Sequence, residues 1–336
     1  MDKLFNKLNS ESICGIAFPP MIRDFEDSYY KAGNIIFETF LSSNKNTYEW
    51  LIFSDYVLRE NRKINDVITF TIVPTSDPIK LIADLKHLCT KDIKELSQVS
   101  SDFLQYLWVS NIFNISFILN KKRKFDHNGN EQAHMLSWVN MFIKQVELWI
   151  TNEGIKNYYS LLIKDMKTLK TLIERKNISL LRDIYIVASL LGYIMMLITK
   201  HTEVQRLFWF SDRDDMVTYK QSKFKNPLIH SLLHNYYHVT CESMGLETKK
   251  LVLGIPEASG TMWYDYFNRI PDYICGTIAD WDIEANVSSS KFIDVLENLL
   301  ASNKHFLLFK LDLTKEFPCA SRIRIERAFW QVQSSY

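Results

Sequence analysis

The chain has 336 residues, with 40 Lys and Arg against 39 Asp and Glu and 47% hydrophobic residues. This composition is close to a globular average and excludes a disordered tail, a collagen-like repeat and a disulfide scaffold. Because the formal net charge is only +1, nucleic-acid binding would require a local basic patch. The 9 glycines and 8 prolines favour long helices, since an all-β protein needs a turn about every eight to twelve residues.

The first third of the chain combines strand and helix patterns. Runs of apolar, β-branched or aromatic residues predict strands at residues 13–18, 48–54, 67–73 and 112–119. Helical spacing predicts helices at 25–40, after 77 and at 100–109. Asp77 followed by Pro78 is typical of a helix start, with a capping residue and then a proline in the first turn.

The middle of the chain is helical, with apolar residues at three-to-four spacing over 131–151, 155–175 and 180–200. We expect a helical insertion at 131–200 between an N-terminal part (1–130) and a C-terminal part (201–336) that completes the same sheet. Its segment 184–198 is uncharged but shorter than the roughly twenty residues of a membrane span. A buried core helix is therefore favoured, and no membrane association is expected.

The last third alternates strands and helices, which makes the predicted fold class α/β, a mixed sheet flanked by helices. Strands are predicted at 206–210, 250–255 and 306–311, and helices at 227–244, 264–279 and 290–302. The five scattered cysteines form no CxxC pair, so we expect reduced and mostly buried thiols. The N-terminus lacks the pattern of a signal peptide, and a cytoplasmic location is predicted.

Acidic residues mark two places where a metal could bind. Asp212 and Asp214 follow the strand at 206–210, and ligands in open α/β sheets bind beyond the carboxyl ends of strands. Carboxylates there suit Mg²⁺ or Mn²⁺, although a solvated loop with an aspartate capping a turn fits the same residues. Asp272 follows a proline before an apolar helical stretch, either as a first-turn acid or pointing into the same cleft as Asp212.

Three histidines, His230, His234 and His238, recur at every fourth position of one predicted helix. Two such histidines can chelate a transition metal, but the glutamate of an HExxH motif is replaced by Ser231. Packing, a proton-donating wall near a site, or a small-molecule enzyme that uses this helix are the alternatives.

A basic quartet stands between Phe117 and Phe125 and consists of Lys121, Lys122, Arg123 and Lys124. Basic residues with neighbouring aromatics suit contact with a nucleic-acid backbone and stacking on bases, although such runs also form ordinary solvated loops. No P-loop, GxGxxG, GxSxG or kinase signature occurs.

Three stretches of the last third follow one another in a defined order. They are Phe208-Trp209-Phe210-Ser211-Asp212, Leu251-Val252-Leu253-Gly254-Ile255 and Ile270-Pro271-Asp272-Tyr273-Ile274-Cys275-Gly276. This order resembles the domain-of-unknown-function family 3800, an RNase H-like group in which a strand ending in an acid precedes a helix, a strand and an apolar helix opening with aspartate. The resemblance implies an RNase H-like mixed sheet.

The resemblance also implies a divalent-metal-dependent nuclease of bacterial defence or mobile-element type, which hydrolyses phosphodiester bonds with Mg²⁺ or Mn²⁺. Such hydrolysis needs several carboxylates to hold the metal ions. Asp212, Asp214 and Asp272 are then the predicted metal ligands. The predicted catalytic residues are Asp212, Asp272, Glu257 and His234, the last to move a proton or contact phosphate.

One acid expected from the resemblance is missing. The family's first strand carries an Asp-Glu-Ser-type motif, whereas the strand predicted at 13–18 holds no acid, and Asp55 at the end of the next strand is a candidate replacement. The missing acid favours the alternative function, a catalytically inactive RNase H-like sensor or scaffold acting through protein–protein contacts. Aromatic residues at 13% are compatible with such an interface, with either another protein or a second copy as the partner.

Overall fold

A computed structural model describes residues 20–75, 77–89, 91–125, 130–153, 156–175, 178–219, 226–314, 319–327 and 331–332. The strands within these ranges are β1 (Glu49–Val57), β2 (Asp66–Pro74), β3 (Phe113–Leu119), β4 (Arg206–Ser211), β5 (Lys250–Leu253), β6 (Val287–Ser288), β7 (Phe306–Asp312), β8 (Cys319–Ile323) and β9 (Gln331–Val332). Seven of them form one mixed sheet in the order β5-β4-β1-β2-β3-β7-β8, and β6 pairs with β9. The predicted α/β class is confirmed.

The pairing in this sheet places strand ends from distant parts of the chain side by side. β1, β2 and β3 are joined as antiparallel neighbours, whereas β4 runs parallel to β1 and β5 runs parallel to β4. Ser54 of β1 pairs with Ser211 of β4, so these two strands end at the same edge. We call this edge the carboxyl edge of β1 and β4.

Helices cover both faces of the sheet. They are α1 (Pro20–Ala32), α2 (Asn34–Ser43), α3 (Pro78–Leu88), α4 (Ser101–Val109), α5 (Glu131–Glu153), α6 (Lys156–Glu174), α7 (Ile178–His201), α8 (Asp215–Thr218), α9 (Leu228–Ser243), α10 (Asp265–Asp280) and α11 (Ser290–Val295). Apolar residues of α1, α2 and α5–α9 form a first core on one face, and those of α3, α4, α10 and α11 form a second core on the other. Both faces of the sheet are therefore buried, which explains the nearly continuous apolar sequences of β1–β3.

Most predicted elements are present, and their local signals act as expected. The Asp77 side chain accepts a hydrogen bond from the Lys80 N–H, and Pro78 occupies the first turn of α3. Among the described residues, α7 alone is long and apolar enough to cross a membrane, and 94% of its apolar window is buried inside the fold. That burial is typical of a core helix.

Several elements differ from the prediction. The single helix expected at 25–40 is divided into α1 and α2 at Gly33, where a Cβ would approach the Phe309 ring to 2.9 Å. The helix expected at 290–302 consists of α11 followed by a π-helical turn, Leu296–Leu300. β8 and the β6–β9 pair were not predicted. The strand predicted at 13–18 and the turn predicted at 126–129 lie outside the described residues.

Candidate active site

Two aspartates lie next to each other at the carboxyl edge of β1 and β4. Asp55 lies two residues after Phe53 on β1, and the Phe53 ring belongs to the second core. Because residues two apart on a strand point to the same face, both side chains face that side of the sheet. Asp212 directly follows β4, and its backbone N–H donates to the Ser54 carbonyl at 3.1 Å. Phe210, two residues before Asp212, also belongs to the second core. The parallel pairing thus brings both carboxylates to one side of one edge.

A third aspartate is supplied by helix α10, which lies against β1 and β2. Asp272 was expected at a helix start, but α10 begins at Asp265 and Pro271 lies inside it. Proline has no N–H and removes one intrahelical hydrogen bond, yet the helix continues through Asp280. The helix-dipole stabilisation expected for a first-turn acid therefore does not apply to Asp272.

The three aspartates interact electrostatically. Burial raises the pKa of Asp55 well above its ordinary value, and the charges of Asp272 and Asp212 raise it further. Burial also raises the pKa of Asp272 to about 7, with Asp92 raising and Lys94 lowering it. Asp55 is 8% exposed, so water screens these charges poorly. Near neutral pH, this group of carboxylates holds protons that ordinary aspartates have lost.

Asp92 and Lys94 belong to the same site, although no motif in the sequence predicts them. Asp92 caps the single 3₁₀ turn Ile93–Glu95, accepting a hydrogen bond from the Lys94 N–H at 2.9 Å. Burial lowers the pKa of Lys94, but the charges of Asp272, Asp92, Asp55 and Asp212 outweigh it and leave the pKa raised. We call these five residues the aspartate cluster. Only the fold brings this loop to α10, so no short-range pattern could have shown it.

The aspartate cluster has the donor chemistry of a hard divalent cation. Carboxylate oxygens are preferred by Mg²⁺ and Mn²⁺, and one lysine cannot neutralise four aspartates. Within the parts of the chain that the structure describes, no three His, Cys, Asp or Glu side chains are already gathered closely enough to hold a metal ion. The residues therefore fit a cation by chemistry, and holding one requires their side chains to move together.

Asp214 and Glu257 are not brought into the cluster. The Asp214 carboxylate accepts a hydrogen bond from the Met216 N–H at 2.7 Å and caps α8, which is the turn-capping alternative considered above. The pKa of Asp214 is raised by burial, and the charged groups acting on it include Arg59 and Asp183, which lie away from the aspartate cluster. Glu257 is exposed in the loop after β5, and its carbonyl accepts a hydrogen bond from Arg213.

His234 lies on the opposite face of the sheet from Asp212 and Asp272. Helix α9, which carries it, packs in the first core, where the ring of His230 lies 5.7 Å from that of Trp209. His230 and His234 line a separate cavity of about 370 Å³ with Asp165 of α6. The structure therefore does not bring His234 within reach of the aspartate cluster.

The basic quartet is divided between surface and interior. Arg123 is 2% exposed and donates hydrogen bonds to Asp66 and Asp183, so it is not available to nucleic acid as predicted. Lys121 is exposed, but its ammonium group donates to the carbonyls of Glu60 and Lys63. Lys122 and Lys124 are exposed. The four basic residues look alike in the sequence, but Arg123 is buried whereas the three lysines are exposed.

Comparison with protein-family models, with curated proteins and with solved structures finds no match for this chain. The function must therefore be argued from the site.

Proposed function

We propose that the protein is a divalent-metal-dependent nuclease in which Asp55, Asp212 and Asp272 hold Mg²⁺ or Mn²⁺. The observation that carries the proposal is the convergence of these three aspartates, from β1, the residue after β4, and α10, on one edge of the sheet. There the charges of Asp272 and Asp212 raise the pKa of Asp55, and the charge of Asp212 raises the pKa of Asp272. Isolated buried carboxylates are unfavourable in a fold, so a cluster without matching cations suggests a site that a bound cation completes.

The topology supports an RNase H-like assignment. Within the seven-stranded sheet, the order β3-β2-β1-β4-β5, with β1–β3 antiparallel and β4 and β5 parallel to β1, fits the RNase H-like mixed sheet that the resemblance implies. In this proposal β1, which carries Asp55, is the first strand of that sheet. Asp55, the replacement considered from the sequence, then takes the place of the acid that residues 13–18 lack.

The residues of the cluster have separate tasks in this proposal. A divalent cation supplies activation of water and stabilisation of the leaving oxygen in phosphodiester hydrolysis. Asp55 and Asp272 must be deprotonated to act as ligands, and its pKa of about 7 makes the ionisation of Asp272 depend on pH near neutrality. The pKa of Asp55 is also raised well above its ordinary value. Lys94 is exposed beside them and is the cation placed to attract a phosphate to the site.

A second candidate, the catalytically inactive sensor or scaffold, is favoured by a different aspect of the same cluster. With the pKa of Asp272 at about 7 and Lys94 nearby, protonation and one internal cation relieve much of the repulsion without a metal. Such a protein would retain the fold and bind a protein partner or a second copy. A role in bacterial defence and a cytoplasmic location stay predictions under either candidate.

A cleavage assay separates the two candidates. Wild type, Asp212→Asn and Asp214→Asn are incubated with labelled DNA and RNA oligonucleotides in Mg²⁺, Mn²⁺ or EDTA. The nuclease predicts metal-dependent cleavage by wild type and by Asp214→Asn, whose residue caps α8, and loss of cleavage in Asp212→Asn. Absence of cleavage by wild type under all conditions, or equal cleavage by Asp212→Asn, would refute the nuclease.

A further inference from the structure

An aromatic patch lies immediately beside the aspartate cluster. It consists of Phe210, Trp263 and Tyr264, with ring centroids 5.0 Å apart for Phe210–Trp263, 5.5 Å for Trp263–Tyr264 and 4.7 Å for Phe210–Tyr264. Phe210 and Tyr264 are buried, but Trp263 is 49% exposed. A large ring that is fixed by two aromatic neighbours and still half in solvent offers a rigid surface for another ring.

The loop that carries Trp263 is held in place by several contacts. Arg213, the residue after Asp212, donates hydrogen bonds to the carbonyls of Glu257 and Gly260. At the end of β5, Gly254 lets the Phe210 ring approach, since a Cβ there would lie 2.5 Å from it. The position of the patch relative to Asp212 is therefore set by the strand ends that build the cluster.

The patch is within one nucleotide's reach of the cluster. Phe210 lies in β4, two residues before Asp212, which puts their Cα atoms about 6.6 Å apart at the rise of a parallel strand. The hydroxyl of Tyr264 has no hydrogen-bond partner among the described residues, although Tyr264 is only 4% exposed. Burial raises the pKa of Tyr264 to about 12, and Asp212 is among the charges that act on it. This hydroxyl is thus a protonated, unpaired donor beside the cluster.

Two cations, one from α10 and one from α3, lie against Tyr266 near the start of α10. Tyr266, Arg269 and Asp272 follow one another at a spacing of three, so each is a surface neighbour of the next on α10. The guanidinium of Arg269 lies 4.8 Å from the centre of the Tyr266 ring, and the ammonium of Lys86 lies 5.5 Å from it. An exposed aromatic ring followed by basic side chains is the combination that binds single-stranded nucleic acid through its bases and its phosphates.

We propose that Trp263 is a base-stacking subsite and that the substrate of the aspartate cluster is single-stranded nucleic acid. In this arrangement a base stacks on Trp263, and the exposed Lys86 contacts a phosphate further along the strand. A regular duplex is excluded because its bases are stacked on each other and not free for Trp263. This inference rests on the proposed nuclease for its catalytic part, but not for its binding part.

The test compares an oligothymidylate with an abasic oligomer of the same length, which keeps the phosphates and lacks the bases. The variants are Trp263→Ala, Trp263→Phe and, as a matched exposed aromatic at the amino end of β1, Tyr48→Ala, where Tyr48 is 60% exposed. Cleavage is measured with Mn²⁺ as kcat/KM, and binding of a labelled strand is measured in EDTA as Kd.

We expect Trp263→Ala to weaken binding and to lower kcat/KM for the oligothymidylate by about 5- to 100-fold, the range of one lost stacking contact. The abasic oligomer should be cleaved equally by wild type and Trp263→Ala. Trp263→Phe should recover most of the loss, and Tyr48→Ala should behave as wild type.

Failure of the base subsite and failure of the nuclease give different results. Cleavage by wild type with the same kcat/KM and Kd in Trp263→Ala overturns the base subsite and leaves the nuclease standing. If wild type cleaves neither oligomer, the nuclease fails, and the Kd values in EDTA then decide the subsite alone. Equal binding of the two oligomers by wild type in EDTA also overturns it.

Discussion

Two groups of aspartates on opposite faces of the sheet differ in how their charge is matched. Asp66 and Asp183, on the side of the first core, are both bonded to the buried guanidinium of Arg123, and Arg59 adds an ion pair to Asp183 at 3.0 Å. We call this group the arginine network. The aspartate cluster, on the side of the second core, has one buried and three half-buried carboxylates, and Lys94, whose charge lowers the pKa of Asp55 and Asp272, is itself exposed.

The difference indicates which group is structural and which is open to a ligand. Arg123 gives the arginine network a planar set of donors that bonds to both carboxylates, although Asp66 Oδ1 and Asp183 Oδ2 accept no hydrogen bond among the described residues. Burial raises the pKa of Asp183 as well, but Arg123 and Arg59 lower it, whereas the charges of Asp272 and Asp212 raise the pKa of Asp55 further. A charge group completed from inside stabilises the fold, whereas one left incomplete is typical of a functional site.

The largest expected effect comes from breaking the arginine network. Arg123→Met removes the cation and leaves Asp66 and Asp183 buried without it, which should lower the free energy of unfolding by about 3–5 kcal/mol in urea denaturation. Arg59→Met is the control, because the Arg59 side chain is 45% exposed and its pair should contribute no more than about 1 kcal/mol. Equal effects of the two substitutions would show that burial of Arg123 is not what matters.

The next effect concerns activity. Asp212→Asn should lower the rate of metal-dependent cleavage by about 10²- to 10³-fold, since an amide cannot supply the charge that a divalent cation requires. Its unfolding free energy should stay close to that of wild type. A large loss of stability with unchanged activity per folded molecule would place Asp212 among structural residues and remove the contrast between the two groups.

Asp272→Asn should raise the free energy of unfolding, whereas Arg123→Met should lower it. Its folded-state pKa of about 7 lies above the ordinary 3.8, so its contribution to stability is fully present below about pH 4 and is lost as pH rises through 7. Asp272→Asn should therefore stabilise the metal-free protein by up to about 4 kcal/mol at pH 8 and by almost nothing at pH 3. Unfolding curves at the two pH values, with EDTA present, measure this. Destabilisation at pH 8 would contradict the raised pKa.

Lys94 should have the smallest of these effects. It lowers the pKa of Asp272, so Lys94→Met should move the pH midpoint of Mn²⁺ binding upward by up to about one unit. Lys91→Met, an exposed lysine three residues earlier, is the control and should leave the midpoint unchanged. A downward shift in Lys94→Met would show that Lys94 competes with the metal instead of assisting ionisation.

Local signals in the sequence predicted the elements well, and tertiary placement decided the rest. Asp77 and Pro78 start a helix through contacts within one turn, so the sequence alone contains the information. Asp272 was expected either as a first-turn acid or in the same cleft as Asp212, and the charge of Asp212 does act on the pKa of Asp272. Arg123 was misplaced because nothing in its basic run distinguishes a residue that two distant aspartates bury.

The parts of the site that were missed depend on long-range pairing. Asp55 was only a candidate because a first strand was expected at 13–18, and the pairing of β1 with β4, which brings Asp55 to the same edge as Asp212, joins distant parts of the chain. Asp92 and Lys94 lie about 180 residues from Asp272 in sequence, in a short turn with no motif. His234 lies on the face of the sheet opposite to Asp212. Helical periodicity in the sequence cannot predict which face of the sheet a helix covers.

Titration calorimetry with Mn²⁺ tests most directly the central claim that the aspartate cluster is completed by a cation. Wild type and Asp214→Asn should bind Mn²⁺ at pH 8, where Asp272 is mostly ionised, and should bind more weakly and with release of protons at pH 6, where Asp272 must ionise. Asp272→Asn should lose this binding. No binding by wild type at pH 8, or the same binding by Asp272→Asn, would contradict the account.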